Sequence, residues 1–474
     1  MVVSPAPAKP LAPWSKAVLP TATEFPLTPL PLISGTLPAG LQGSLYRNGP
    51  GRLERGGQRM GHWFDGDGAI LAVHFANGQA RATYRYVQTA GYQAEEQADR
   101  LIYGNYGMAP PGPWWQRFGK TLKNVANTSV MVFDDRLWAL WEGAQPHRLD
   151  LETLATVGLD QVPGLNPKLP YSAHPKIDPV TGEIYNFGVT YGAKATLHLY
   201  RHDRQGKLLQ QSQLVLPGTT MVHDFALAGN YLVFCLPPLR VNPLPLLLNL
   251  KGFSEAVEWQ PALGTTILVF DRATLELVSQ TVAEPWYQWH FGNGFADQDG
   301  NLALDLVRYE DFSTNQFLKE IAMGSVQQVV AGHLYRMRLN PLTGEVLGSE
   351  QLSDRMVEFP TVPPAQVAQA ARYTYLSLGQ DDLLGTIGRY DDQTNTMTIA
   401  PIPGHCYGME PIFVADRSRG IDQGWVLTVV FDSERDCSEV WIFDSEQMAA
   451  PPIARLALPQ IIPIGFHGTW HDTH

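Results

Sequence analysis

Short runs rich in Val, Thr, Tyr, Phe and Trp, bounded by Gly, Asp, Asn and Pro, follow one another along the 474-residue chain, and apolar residues at helical spacing are scarce. The pattern predicts an all-β body. Within it one cassette recurs: a strand, a polar turn and a second strand able to pair back as a hairpin. Seven copies are recognisable: AVHFANGQARATYRYV from Ala72, HRLDLETLATV from His147, LYRHDRQGKLLQQ from Leu199, LVFDRATLELVSQ from Leu268, LYRMRLNPLTGEVLG from Leu334, IGRYDDQTNTMTIA from Ile387 and VWIFDSEQMAAPPIARL from Val440. Their starts lie 75, 52, 69, 66, 53 and 53 residues apart. That spacing is too irregular for a WD40 array but fits one cassette per four-stranded blade, so the expected architecture is a seven-bladed β-propeller. The competing arrangement, two β-sandwiches, needs a mid-chain linker, and no Gly/Ser-rich or charged stretch supplies one. Residues 1–31 carry eight prolines and read as an extended arm laid along the body, leaving 32–474 as a single domain.

With 44% hydrophobic and 17% charged residues the chain has the composition of a large folded core. The net charge of −12, with no basic run, argues against nucleic acid as a partner. Three cysteines (Cys235, Cys406, Cys437) are odd in number and widely spaced, which suggests neither a disulfide framework nor a thiolate zinc site. A reducing, cytoplasmic setting fits. No stretch approaches the apolar length of a spanning helix, and no secretory leader is expected.

Histidine, the commonest metal ligand, is the place to look for chemistry. Four of the thirteen share a context of small or aromatic neighbours beside an apolar strand: His174 in YSAHPKIDP, His223 in MVHDFAL, His290 in WHFGNGFAD and His467 in FHGTW. The others, His62 among them, fall in polar turns, on outer hairpins or at the end. His174, His223 and His290 precede the third, fourth and fifth cassettes, and His467 follows the seventh, where a last strand could close the ring. The stretches before the second, sixth and seventh cassettes carry Glu142, Glu358 and Glu410 among apolar residues instead. A carboxylate buried there would need a partner; the alternative is three partly exposed glutamates in loops. Four imidazoles around a metal, with carboxylates accepting their outward N–H groups, would provide that partner. Such a donor set leaves a divalent ion its charge and open positions, which suits ferrous iron with dioxygen; ligand type alone leaves zinc and copper open. HGTWH lacks the Glu of a zincin, DGDG at Asp65–Gly68 lacks the rest of a calcium loop, and no phosphate-binding glycine loop or nucleophile elbow is present.

The motifs LYRNGPG (Leu45–Gly51), WFDGDG (Trp63–Gly68), NVANTSV (Asn124–Val130), WEGAQPHRL (Trp141–Leu149), SAHP, HDF, WHFGN, EFP, EPIF and HGTW, in this order, resemble the carotenoid cleavage oxygenase family over nearly the whole chain after the arm. LKNVANTSV and ALWEGAQPHRL are most similar to its cyanobacterial apocarotenoid oxygenases. The resemblance implies a seven-bladed propeller with ferrous iron on the axis and loops capping one face. It makes His174, His223, His290 and His467 the iron ligands and Glu142, Glu358 and Glu410 their supports, with Thr128 beside the vacant coordination position. Stilbene-cleaving members place a Lys immediately before the Glu142 position. Here that residue is Trp141, and with Trp289 it offers an aromatic wall suited to a polyene.

The implied reaction is scission of a polyene double bond by O₂ into two carbonyl fragments, at the 15,15′ bond of an apocarotenoid to give retinal, with 9,10 cleavage of intact carotenoids as the alternative. No side chain need act as acid or base. A non-catalytic propeller that binds a protein or apolar ligand is a competing reading, which loss of a histidine would favour; a retinoid-type isomerohydrolase is another. Val241–Phe253 (VNPLPLLLNLKGF) and Gly112–Lys123 (GPWWQRFGKTLK) combine Leu, Trp and Phe with Lys or Arg, so peripheral membrane contact is expected.

Overall fold

The computed structural model describes residues 9–472 except Phe118, Asp134 and Ala193, and leaves the side chains of Trp114 and Leu247 undescribed. The first eight residues of the arm therefore lie outside the described residues. The chain is mostly β with a few short helices.

Each cassette forms an antiparallel pair. Asp67–Ala76 pairs with Gln79–Tyr86, His147–Leu149 with Thr156–Leu159, Ala195–His202 with Leu208–Val215, and Thr265–Asp271 with Leu277–Ala283. His333–Leu339 pairs with Val346–Gln351, Leu383–Asp391 with Thr396–Ile399, and Cys437–Asp444 with Ala454–Ala457. The first turn shows why polar residues mark these reversals. Asn77 and Gly78 take φ of 53° and 71°, the left-handed pair that a two-residue hairpin loop requires. Burial falls off along each sheet: Ala195–His202 is mostly buried, whereas Leu208–Val215 alternates between half-buried and exposed.

Consecutive sheets bury their faces against each other. Met131 and Trp138 of one sheet meet Ile184 and Tyr200 of the next, whose Phe187 and Leu197 meet Phe225 and Phe234 of the one after. Gly468–Asp472 returns to the first sheet and pairs with Gly43–Arg47, so the two ends of the described chain share one sheet. This is possible because LYRNGPG passes the segment before His467 at very short range: a Cβ on Gly49 would lie 2.4 Å from Cα of Gly465.

Within the arm Phe25–Pro29 lies on a sheet edge beside Gln79–Tyr86, and just after it Leu32–Gly35 lies on the edge beside Ala454–Ala457. Edge positions tolerate Pro26 and Pro29 because no second neighbour needs their missing N–H. Two expectations change. Ser313–Ile321 is a helix that the β reading passed over, and it buries Thr314, Phe317 and Ile321 at helical spacing. His62, read as a turn residue, is fully buried between Phe64 and Tyr106. Its Nδ1 accepts the Phe64 N–H and its Nε2 donates to the Asn315 carbonyl, so it anchors that helix.

Candidate metal centre

His290 lies in the strand Tyr287–Ala296, while His174, His223 and His467 occupy short connections just before strands. All four rings converge. His174, His223 and His290 present ring nitrogens within 4.8 Å of one another. His467 joins through His290, their Nε2 atoms 3.1 Å apart, and His223 Nε2 lies 3.4 Å from His290 Nε2. The His174 ring centroid is 4.5, 5.3 and 4.9 Å from those of His223, His290 and His467, and its buried Nε2 has no hydrogen-bond partner.

The three glutamates take the outward nitrogens. Glu142 contacts Nδ1 of His223, Glu358 Oε2 lies 2.5 Å from Nδ1 of His290, and Glu410 Oε1 lies 2.8 Å from Nδ1 of His467. A carboxylate accepting at Nδ1 keeps that nitrogen protonated, so a neutral ring has its lone pair on Nε2. Inward lone pairs at 3.1–3.4 Å repel one another unless a cation lies among them. The orphaned His174 Nε2 needs the same partner. The donor set therefore fits a divalent metal held by neutral imidazoles.

Electrostatics agree for two of the rings. Burial, reinforced by the neighbouring imidazoles, holds His174 and His290 well below the ordinary histidine range. For His223 burial also opposes charge, but the Glu142 carboxylate outweighs it and raises the pKa. Burial pushes Glu358 up to about 7 despite N–H donation from Phe359 and O–H donation from Tyr309.

Several supports were not assigned by the sequence reading. Arg47, buried, donates to the carbonyls of Glu410 and Phe466 and so ties together the segments carrying Glu410 and His467. Its place in LYRNGPG was the available signal. Phe359 adopts a left-handed φ of 52°, unusual for a bulky residue, and stacks on His290 with centroids 5.3 Å apart.

A cavity bordered by His223, His290 and His467 is walled by Trp63, Phe64, Tyr106, Trp141, Trp289 and Phe317. Trp289 packs edge-on against His223 at 4.9 Å and donates its indole N–H to Thr314. Thr128 also lines this space; its carbonyl accepts the His467 N–H and its hydroxyl donates to Asn127. The structure thus brings together the four histidines, the three glutamates, Thr128, Trp141 and Trp289.

Residues 18–472 match the family model described as retinal pigment epithelial membrane protein (RPE65). The chain belongs to the RPE65 and carotenoid cleavage oxygenase family. It is 35% identical over 457 residues to apocarotenoid-15,15′-oxygenase of Synechocystis sp., spanning 93% of this chain and 92% of that relative. It is 27% identical over 490 residues to carotenoid 9,10(9′,10′)-cleavage dioxygenase 1 of Pisum sativum, spanning 92% and 85%. The solved structure of cobalt-substituted Synechocystis apocarotenoid oxygenase matches with a TM-score of 0.89 at 33% identity, over 97% of this chain and 98% of that one.

Proposed function

We propose that this protein is an iron-dependent oxygenase that cuts one double bond of an apocarotenoid, at the 15,15′ position, giving retinal or a close analogue and a second carbonyl product. The observation that carries the reading is the convergence of four imidazoles, three of them backed by glutamate, beside an aromatic-walled cavity. His174, His223, His290 and His467 would hold ferrous iron, and bound there it would supply the activation of dioxygen. Glu142, Glu358 and Glu410 fix ring orientation and balance its charge. Trp141 and Trp289 bury the polyene and hold one double bond toward the histidines, while Thr128 borders the reacting space. The similarity to the Synechocystis relative supports the 15,15′ position. The pea relative keeps 9,10 cleavage as the alternative.

The arrangement we propose around this site is a seven-bladed propeller with the metal on its axis. It is supported by the seven paired cassettes, by sheets packed face to face in sequence, and by the return of Gly468–Asp472 to the first sheet. A peripheral membrane contact is also proposed. Leu244, Leu250 and Trp115 are at least half exposed, and Leu248 and Leu122 are exposed near them in sequence, a composition suited to dipping into a lipid interface.

Incubating purified iron-loaded protein with an apo-8′-carotenal and, separately, with β-carotene tests the function, products being read by mass spectrometry. Retinal from the first and no product from the second is expected. C13 ketones from β-carotene would replace the 15,15′ assignment by 9,10 cleavage, and no oxygen-dependent product from either would sink the oxygenase reading.

A further inference from the structure

Asp224 and Lys176 stand beside the histidines but enter none of the roles assigned above. Asp224 follows His223 directly, Lys176 lies two residues beyond His174, and Phe291 follows His290. The Asp224 carboxylate gathers all three segments. Its Oδ1 accepts the Phe225 N–H at 2.8 Å and lies 2.8 Å from Lys176 Nζ, while Oδ2 accepts the Phe291 N–H at 2.8 Å. Asp224 is buried, so these charge-assisted bonds are poorly screened by water.

The local backbone explains why a side chain is needed there. In the hairpin of Tyr287–Ala296 with Leu302–Tyr309 the register shifts on both sides of Phe291. Such a bulge aims side chains away from the regular pleat and disturbs the ladder's own hydrogen bonding. The Phe291 N–H is bonded to Asp224 instead, which pins the displaced stretch that carries His290 to the connection that carries His223. Lys176, stretched across to the same carboxylate, adds the connection that carries His174. The pair lines a second cavity, which reaches His174, His290 and His467 as well.

We infer that Asp224, with Lys176 as its counter-ion, is a positioning residue that sets the spacing of His174, His223 and His290 for the metal. Glu142 and Glu358 orient individual rings; Asp224 fixes the distances between the backbones that bear them. The inference rests on the four-histidine metal reading.

Full-length wild type, Asp224→Asn and Lys176→Met are compared for Fe(II) affinity by chelator competition, for the visible spectrum of the Co(II)-loaded protein, and for melting temperature without metal. Asn keeps the size and one acceptor oxygen but loses the charge and the second acceptor. Lys176→Met removes the third tether while leaving Asp224 bonded to both backbone groups. The expected result is Fe(II) binding weakened about 10- to 100-fold in Asp224→Asn and less in Lys176→Met, with altered Co(II) ligand-field bands. If both variants lower the metal-free melting temperature but keep wild-type affinity and spectrum, the residue is merely structural and the inference fails. Should Asp224→Asn not fold, Lys176→Met decides by the same criteria. A wild type that binds no Fe(II) or Co(II) overturns the metal reading itself, an outcome distinct from wild-type binding that both variants retain.

Discussion

Tyr309 donates its phenolic O–H to Oε1 of Glu358 at 3.0 Å, so the carboxylate whose other oxygen meets His290 is held from both sides. Glu410 is braced similarly, its Oε2 accepting the Gly468 N–H at 2.7 Å. These carboxylates have fixed positions from which to orient imidazoles. Glu→Gln at 142, 358 and 410 should each lower iron affinity about 10- to 100-fold, measured by chelator competition. Wild-type iron retention in all three variants would return them to ordinary polar residues.

His223→Ala should lose the metal and the activity while the β body remains. The His223 ring packs against other histidines and Trp289, and His223 lies outside every strand, so the alanine variant should leave the strand pairing intact. Metal content by mass spectrometry and far-ultraviolet circular dichroism read the two effects separately. One iron per chain retained in the variant would remove His223 from the donor set.

A second buried charge cluster lies away from the histidines. Lys123 Nζ is 2.7 Å from Glu95 and also contacts Asp67, and Arg55 bonds Asp67 at 3.0 Å, all of them almost without exposure. Lys123→Met strips two buried carboxylates of a counter-charge and should cost about 3–5 kcal/mol in denaturant unfolding. Lys16→Met, which removes the half-exposed pair with Asp436, should change little. Equal effects of the two substitutions would contradict this difference in burial.

Asp65 is buried, and burial pushes its carboxyl up to about 7 even though the Gly107 N–H donates to it. The folded state therefore binds this proton more tightly than the unfolded chain does. Its contribution favours folding less as pH rises from about 4 through 7. Asp65→Asn lacks that titration, so its stability relative to wild type should improve between pH 4 and pH 8. Parallel pH profiles for the two proteins would show that Asp65 stays ionised throughout.

Membrane contact is tested by Leu244→Ser, Leu248→Ser and Leu250→Ser combined, because these leucines are exposed whereas Leu246 is half-buried. Co-sedimentation with liposomes should fall, and turnover of liposome-embedded substrate with it. Unchanged co-sedimentation would exclude this patch as the contact.

The hairpins were legible because reversals such as Asn77-Gly78 need residues that tolerate positive φ, a demand written locally in the sequence. The histidines were legible because each sits in a motif beside its strand. Arg47 was not, since its acceptors at Glu410 and Phe466 lie 363 and 419 residues away and only the folded chain reveals them. Asp224 escaped notice for a related reason: Lys176 and Phe291, two of its three partners, belong to other histidine segments. The edge strand Phe25–Pro29 of the arm was hidden by prolines, which mark extended chain without saying whether it pairs. His62 looked like a turn residue because it sits in a glycine- and aspartate-rich stretch, GQRMGHWFDGDG, yet Tyr106 and the helix Ser313–Ile321 arrive from elsewhere to bury it.

The four imidazoles come from segments as far apart as His174 and His467, so no short fragment of the chain carries the whole donor set. A cation held there has appreciable affinity only for the assembled molecule and stabilises it in proportion to the logarithm of its free concentration. Detachment of any one of the contributing sheets would forfeit that stabilisation. Unfolding of the loaded protein should therefore be more cooperative than that of the stripped protein, with a midpoint that climbs as metal is added, and the site acts as a clasp on the order in which the sheets come apart.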